Sequence, residues 1–339
     1  MTAALPDHLT FRRPTVADAQ EIFALIAARN TAAVGFADLT LGDMTDELSE
    51  PGLDLDRDAW LVHSGDRLTG YATVFGKGDH QAIDLEVVSP DRPTADWLLD
   101  QALPRAADLG RAHGHRKISV DSGAYRTDEP KRGLLAARGF RPGTTFHRMR
   151  IDHADQPLAP TEHPLADDQG NGGGLVPPPG ITVRRGAPDE ATRRAAHAVL
   201  NAAFDGQFGF VPRPYDEWAA AHESRSTFDW SQSTLLELDG RPVAFRECTD
   251  EFVPDENCNY IGRLAVLPEA RGRGLAKFLL RDAFAEDAAA GRAGTILHVD
   301  TNNPTPALGL YLSVGMRAVL AIDAWRLTLK TTSPEPITP

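Results

Sequence analysis

Two cysteines among 339 residues, Cys248 and Cys258, are too few for a disulfide framework. With no CxxC pair and no histidine close by, they do not suggest structural zinc or any other metal site either, and their scarcity fits a reducing, cytoplasmic setting. Long apolar runs are missing: nothing approaches the ~18 residues that a membrane-spanning helix needs. The opening stretch MTAALPDHLTFRRPT has no basic-then-apolar targeting pattern. Positive charge is also short. Lys and Arg total 35 against 48 Asp and Glu, a net charge of −13, and an acidic chain repels nucleic-acid phosphates. The rest is ordinary, with 42% hydrophobic and 24% charged residues, enough to bury the cores of roughly two domains.

The chain divides near its middle. From Gln156 to Gly180, eleven of 25 residues are Pro or Gly, which leaves little backbone able to hold a helix or a ladder. The flanking halves repeat one another. Leu9-Thr10-Phe11-Arg12-Arg13 opens the first and Ile181-Thr182-Val183-Arg184-Arg185 the second, each followed by an amphipathic helix. Hairpins follow around Ser64-Gly65-Asp66 and Asp239-Gly240. Strands ending at Val88-Ser89-Pro90 and Val266-Leu267-Pro268 lead into helices that stop near Gly110 and Gly291. The order β-α-(α)-β-β-β-α-β-α-β, given twice, predicts two mixed α/β domains over 1–152 and 181–330, a linker over 153–180 and a disordered tail over 331–339.

One loop differs between the copies. In the second half, Pro268-Glu269-Ala270 runs into Arg271-Gly272-Arg273-Gly274, and the following helix carries Leu275, Phe278, Leu279 and Ala283 on one face. A glycine turn feeding a helix start gathers unpaired N–H groups and the positive dipole end at one point, an anion site suited to a diphosphate. Charge agrees: Ile261–Arg281 holds Arg263, Arg271, Arg273, Lys277 and Arg281 against Glu269 alone, a local +4. Gly-Lys-Ser/Thr is absent, which excludes a P-loop. Lys277 stands where a dinucleotide fingerprint needs glycine. The first half has Asp91-Arg92-Pro93-Thr94-Ala95-Asp96 instead, with no glycine and two acids.

Arg271-x-x-Gly274-x-Ala276 after Leu264-Ala265-Val266 resembles the acyl-coenzyme A loop of the GNAT acetyltransferase superfamily, and Asn303, Ala307, Leu310-Tyr311 and Gly315-Met316 resemble its second signature. The Asn-to-Ala spacing is about one residue longer than usual, and Met316 replaces Phe. The tandem arrangement is similar to mycothiol synthase and related actinobacterial acetyltransferases. The resemblance implies two GNAT-like domains, each a mixed, largely antiparallel twisted sheet flanked by helices, with a degenerate N-terminal copy.

It further implies an acyl-coenzyme A-dependent N-acyltransferase, acetyl-coenzyme A being the co-substrate, with direct attack by a small-molecule amine in a ternary complex. The residues implied at the cofactor are Leu264, Ala265, Val266, Arg271, Gly272, Arg273, Gly274, Leu275, Ala276, Lys277 and Asn303, the strand Leu264–Val266 pairing with the pantetheine arm in a splayed sheet. Asn303 also reads as a helix cap before Pro304. Tyr311 is the expected general acid toward the leaving thiolate, the alternative being a core tyrosine bonded to a backbone group. Mycothiol-synthase-like enzymes place a carboxylate on the strand before the loop, where this chain has Asn259-Tyr260-Ile261-Gly262. Candidate bases are therefore Glu247 and His298, with Asp255 and Glu256 also near.

Phe208, Phe210, Tyr215 and Trp218, set among carboxylates, are expected to line the acceptor pocket by stacking and cation–π contact, or else to fill the core. Two readings compete with N-acetyl transfer to a small amine: mycothiol synthase, and a non-catalytic acyl-coenzyme A sensor. Neither metal, nucleic acid nor membrane is expected, and the assembly is a monomer or homodimer.

Overall fold

A computed structural model describes residues 5–153, 175–302, 305 and 307–331. Most of the expected linker (154–174), Asn303 and nearly all of the expected tail (332–339) lie outside the described residues. The chain forms two compact units: Met1–Phe146 with Val211–Ser226 and Ala321–Pro339, and His147–Phe210 with Thr227–Leu320.

The first sequence half runs β1 (Leu9–Arg12), α1 (Ala19–Val34), α2 (Leu41–Leu48), α3 (Leu55–Asp58), β2 (Ala59–Ser64), β3 (Arg67–Lys77), β4 (Ala82–Val88), α4 (Arg92–Ala112), β5 (Lys117–Tyr125), α5 (Glu129–Ala137) and β6 (Arg141–Asp152). The second runs β7 (Ile181–Arg185), α6 (Glu190–Phe204), α7 (Tyr215–Glu223), β8 (Thr234–Leu238), β9 (Arg241–Thr249), α8 (Val253–Glu256), β10 (Cys258–Val266), α9 (Leu275–Ala289), β11 (Gly294–Asp300), α10 (Ala307–Ser313) and β12 (Arg317–Lys330). The repeated element order anticipated from the hydrophobic periods is present in both halves.

In the first unit β1 to β5 follow in sequence order, antiparallel except for the parallel pair β4–β5, and Ile322–Lys330 of β12 runs antiparallel to β5. Alternation sends Ile83, Leu85 and Val87 of β4 to one face, where they meet Trp97, Leu98, Ala102 and Ala106 of α4. Burying each large apolar side chain there contributes about 1.5–3 kcal/mol. The opposite face carries Tyr71 and Val88 against Ile22 and Ile26 of α1 and Met44 of α2.

The second unit repeats the plan. Strands β7, β8, β9 and β10 are antiparallel neighbours, β10–β11 is the parallel pair, and β6 lies beyond β11. The strands of each unit thus form a mixed, largely antiparallel arrangement flanked by helices, the expected fold class. The compact units and the sequence halves differ in two respects. Strands β6 and β12 each begin in one unit and end in the other, and Val211–Ser226 belongs to the first unit.

Candidate active site

The parallel ladder of β10 with β11 runs from Cys258↔Gly294 to Ile261↔Leu297 and goes no further. The antiparallel ladder of β10 with β9 continues to Val266↔Ala244, with a register shift between Ile261 and Arg263. Gly262 is the extra residue of this bulge, and bulges of this kind bend a strand and re-aim its side chains. From Arg263 to Val266, β10 therefore keeps a partner strand on the β9 side and none on the other, among the described residues. An open row of backbone donors and acceptors at a sheet edge is a template for an extended ligand. The expected cofactor residues Leu264, Ala265 and Val266 lie on it.

This edge leads through a short turn, Pro268–Ala270, to the glycine bend. Gly272 and Gly274 both adopt φ of +77°, a left-handed conformation that disfavours side chains, and a Cβ on either would meet nothing within 4 Å. The backbone at the bend is bare. Gly274 is the N-cap of α9, and no side chain caps that helix. Its first-turn N–H groups, including those near Ala276 and Lys277, are left for a ligand. Arg271 and Arg273 are exposed, while Leu275 is buried and anchors the helix start. Arg271 Nε donates to the Val266 carbonyl at 3.3 Å, tying the bend to the strand.

The first unit repeats the layout with the chemistry reversed. Its parallel ladder covers only Ala82–Asp84 against Ser119–Asp121, while β4 stays in unbroken register with β3 up to Tyr71↔Val88. There is no bulge. At the start of α4, the Asp91 carboxylate accepts from the Thr94 N–H at 2.9 Å and from the Thr94 hydroxyl at 2.7 Å. A built-in anion occupies the helix end that α9 leaves open. Asp96 is engaged by Arg92 and by Arg138.

The candidate catalytic groups sort onto the two faces of the β10–β11 sheet. Tyr311 of α10 packs in an apolar cluster with Ile261, Leu297 and Val299. It is 8% exposed, its phenol has no hydrogen-bond partner among the described residues, and burial pushes its pKa up to about 12. Its ring is packed in the core, as the alternative reading has it, but no backbone partner for its hydroxyl is found among the described residues. His298 alternates to the other face, with Tyr260, Phe252 and Ile296. Tyr260 Oη and His298 Nδ1 lie 3.0 Å apart. Burial, and secondarily the Arg148 cation, lower the His298 pKa to about 4, and burial raises that of Tyr260.

Glu247, opposite Arg263 on β9, reaches the same place: a Cβ on Gly262 would lie 3.3 Å from Glu247 Oε1 and 3.8 Å from the Tyr260 ring. Glycine at the bulge leaves that carboxylate its room. Glu247, Tyr260 and His298 are thus gathered at the mouth of the splay. Glu256 is not available there, being ion-paired with Arg148 and Arg150, and Asp255 is exposed. Tyr260 is the residue sequence reading passed over. Its signal was the glycine two positions on, which marks a strand irregularity.

Around this centre, Asn259 Nδ2 donates to Asp287 Oδ1 of α9 at 2.6 Å, and Thr295 of β11 bonds the same carboxylate. Arg246 of β9, 1% exposed, donates to Asp282 Oδ2 at 3.0 Å, to Thr234 at 2.9 Å and to the Leu279 carbonyl at 3.1 Å. These bonds fix α9, and so the bend, on the sheet. The four acceptor aromatics divide. Phe208 and Phe210 belong to the second unit, with Phe210 5.5 Å from Phe204. Tyr215 and Trp218 belong to the first, 5.9 Å apart, with Trp218 buried. Among the described residues, no group of His, Cys, Asp and Glu could hold a metal and no helix is long and apolar enough to cross a membrane.

The model of the acetyltransferase (GNAT) family matches residues 197–316. No curated protein sequence matches significantly. Among solved structures, a GCN5-related N-acetyltransferase from Sphaerobacter thermophilus is 24% identical with a TM-score of 0.76, covering 96% of this chain and 98% of its own. A tandem GNAT protein from the clavulanic acid biosynthesis pathway is 17% identical with a TM-score of 0.67, over 96% and 100%. Saccharomyces cerevisiae N-myristoyltransferase, solved with myristoyl-CoA and inhibitors, is 11% identical with a TM-score of 0.62, over 97% and 82%. Residues 197–316 thus match the GNAT acetyltransferase family model, and over its whole length the chain has the fold of a solved tandem GNAT protein.

Proposed function

We propose that the chain moves an acyl group, acetyl in the first instance, from its coenzyme A thioester to the amine of a small molecule, by direct attack in a ternary complex on the second half. The observation that carries this reading is the one-sided edge Arg263–Val266 leading into an uncapped helix start at Gly274. Acyl-coenzyme A supplies the activated thioester. The bare bend Arg271–Gly274 and the first-turn N–H groups of α9 hold the diphosphate, with Arg271, Arg273 and Lys277 adding positive charge. The edge of Leu264, Ala265 and Val266 aligns the pantetheine arm, as an added strand would lie. Asn303 reads as a further contact.

Tyr311, protonated across the working range, donates to the departing sulfur from one face. Glu247 and His298 on the other face are the candidates to take the proton that the acceptor ammonium must lose. Phe208 and Phe210 are acceptor-side candidates within the second unit, while Tyr215 and Trp218 are candidates carried by the first. The N-terminal domain, by this reading, has lost its diphosphate site to Asp91.

Release of free coenzyme A from acetyl-coenzyme A, measured against a panel of small amines, tests the proposal. Turnover with at least one amine supports it. Tight binding of coenzyme A with no turnover across a broad panel is instead the behaviour of a sensor.

A further inference from the structure

Tyr260 stands among groups that the proposed reaction uses and has no part in it so far. Its ring is fixed edge-on to Phe252 at 5.2 Å and edge-on to His298 at 5.5 Å. Arg148 lies 4.1 Å over the Phe252 ring, where its charge opposes an imidazolium at His298. Burial, with Glu251 and Glu247 nearby, keeps the Tyr260 phenol protonated. A half-buried phenol facing a ring nitrogen donates to it when that nitrogen carries the lone pair. Among the described residues that phenol has one partner, His298 Nδ1. Neutral imidazole carries one N–H and one lone pair. If Nδ1 accepts from the phenol, the ring proton sits on Nε2, which has no partner among the described residues.

We propose that Tyr260 is a positioning residue that holds His298 in the Nε2–H tautomer, so that His298 is a hydrogen-bond donor to the acceptor substrate and Glu247 takes the amine proton. The inference deepens the proposed function and rests on it for the substrate. It assigns that substrate to amines bearing a hydroxyl, carbonyl or carboxylate oxygen near the nitrogen, since a donor at Nε2 needs an oxygen lone pair to meet. A base at His298 would need a lone pair at Nε2, which this tautomer lacks.

Long-range proton–nitrogen NMR on the uniformly ¹⁵N-labelled full chain reads the tautomer directly, the His298 signals being those lost in His298→Gln. The expected result is a protonated Nε2 in the wild type and a mixture of tautomers in Tyr260→Phe. A protonated Nδ1 in the wild type, or an unchanged tautomer in Tyr260→Phe, overturns the proposal. Kinetics give a second reading on the amine the panel identifies. Gln keeps a donor but cannot act as a base, so His298→Gln should stay within about tenfold of wild-type kcat/KM, the change lying in KM. A fall of about 10² to 10⁴ in kcat would mark His298 as the base after all. The NMR measurement needs no substrate, so a panel without turnover would defeat the acyltransferase reading and leave the tautomer result standing.

Discussion

Replacing Gly274 by Asp tests the diphosphate site most sharply, because it gives α9 the feature that Asp91 gives α4. A Cβ at Gly274 meets nothing within 4 Å, so the fold is disturbed only through φ of +77°, which costs a side chain about 1–2 kcal/mol. Capping of α9 by the new carboxylate offsets only roughly 0.3 kcal/mol of that, since glycine is itself a tolerated N-cap. The net loss of stability is about 1–1.5 kcal/mol, a shift of a few degrees in Tm. Binding suffers far more. One charge-assisted hydrogen bond withdrawn from the ligand is about 1.5–3 kcal/mol. A carboxylate about 5 Å from a phosphate charge, at an effective dielectric of about 20, adds ~3 kcal/mol of repulsion. Screening by solvent and salt reduces the second figure, and about 3 kcal/mol, or a hundredfold in Kd, is the least expected. Titration calorimetry of the full chain with coenzyme A reads this, and Gly274→Ala, strained but uncharged, should lose less than about tenfold. If the Asp variant binds within threefold of wild type while its Tm moves only a few degrees, the diphosphate does not sit at this bend.

Tyr311→Phe should lower kcat by about 10² or more with little change in coenzyme A affinity, and the wild-type rate should show no alkaline loss from this group below about pH 10, since its pKa is raised to about 12. Arg246→Ala leaves buried Asp282 with Arg185 as its remaining cation and should cost less than the about 3–5 kcal/mol of a fully unpaired buried charge in chemical unfolding, α9 being the element loosened. Asp91→Ala should cost about 1 kcal/mol of stability through the lost cap and leave coenzyme A affinity unchanged, as calorimetry and thermal unfolding will show. His298 has its pKa lowered from 6.5 to about 4, so the folded state binds fewer protons than the unfolded one between these values. Stability should therefore be complete above pH 6.5 and fall toward pH 4 by up to about 3 kcal/mol, and His298→Gln should flatten that slope in unfolding titrations.

Much of this was legible before any coordinates. The bend at Arg271–Gly274 announces itself because glycine spacing and local charge are properties of neighbouring residues, and helix α9 because its apolar face repeats at the helical period. The two-copy order of elements was legible for the same reason. The bond between Tyr260 and His298, and the position of Glu247 beside the bulge at Gly262, were not, because a β-bulge decides which way each side chain points and a one-residue shift reverses the face.

The amino-acid sequence by itself therefore determined the local features: two strand-and-helix repeats, a bare anion-binding bend in one and an acidic helix start in the other, each written in residues close along the chain. The tertiary structure alone decided where the β10–β11 ladder ends, which face each catalytic candidate occupies, and that β6 and β12 each pass from one compact unit to the other. A strand's pattern states which side is apolar but never which distant strand will supply its hydrogen bonds, and that choice is made only when the whole sheet closes its ladders.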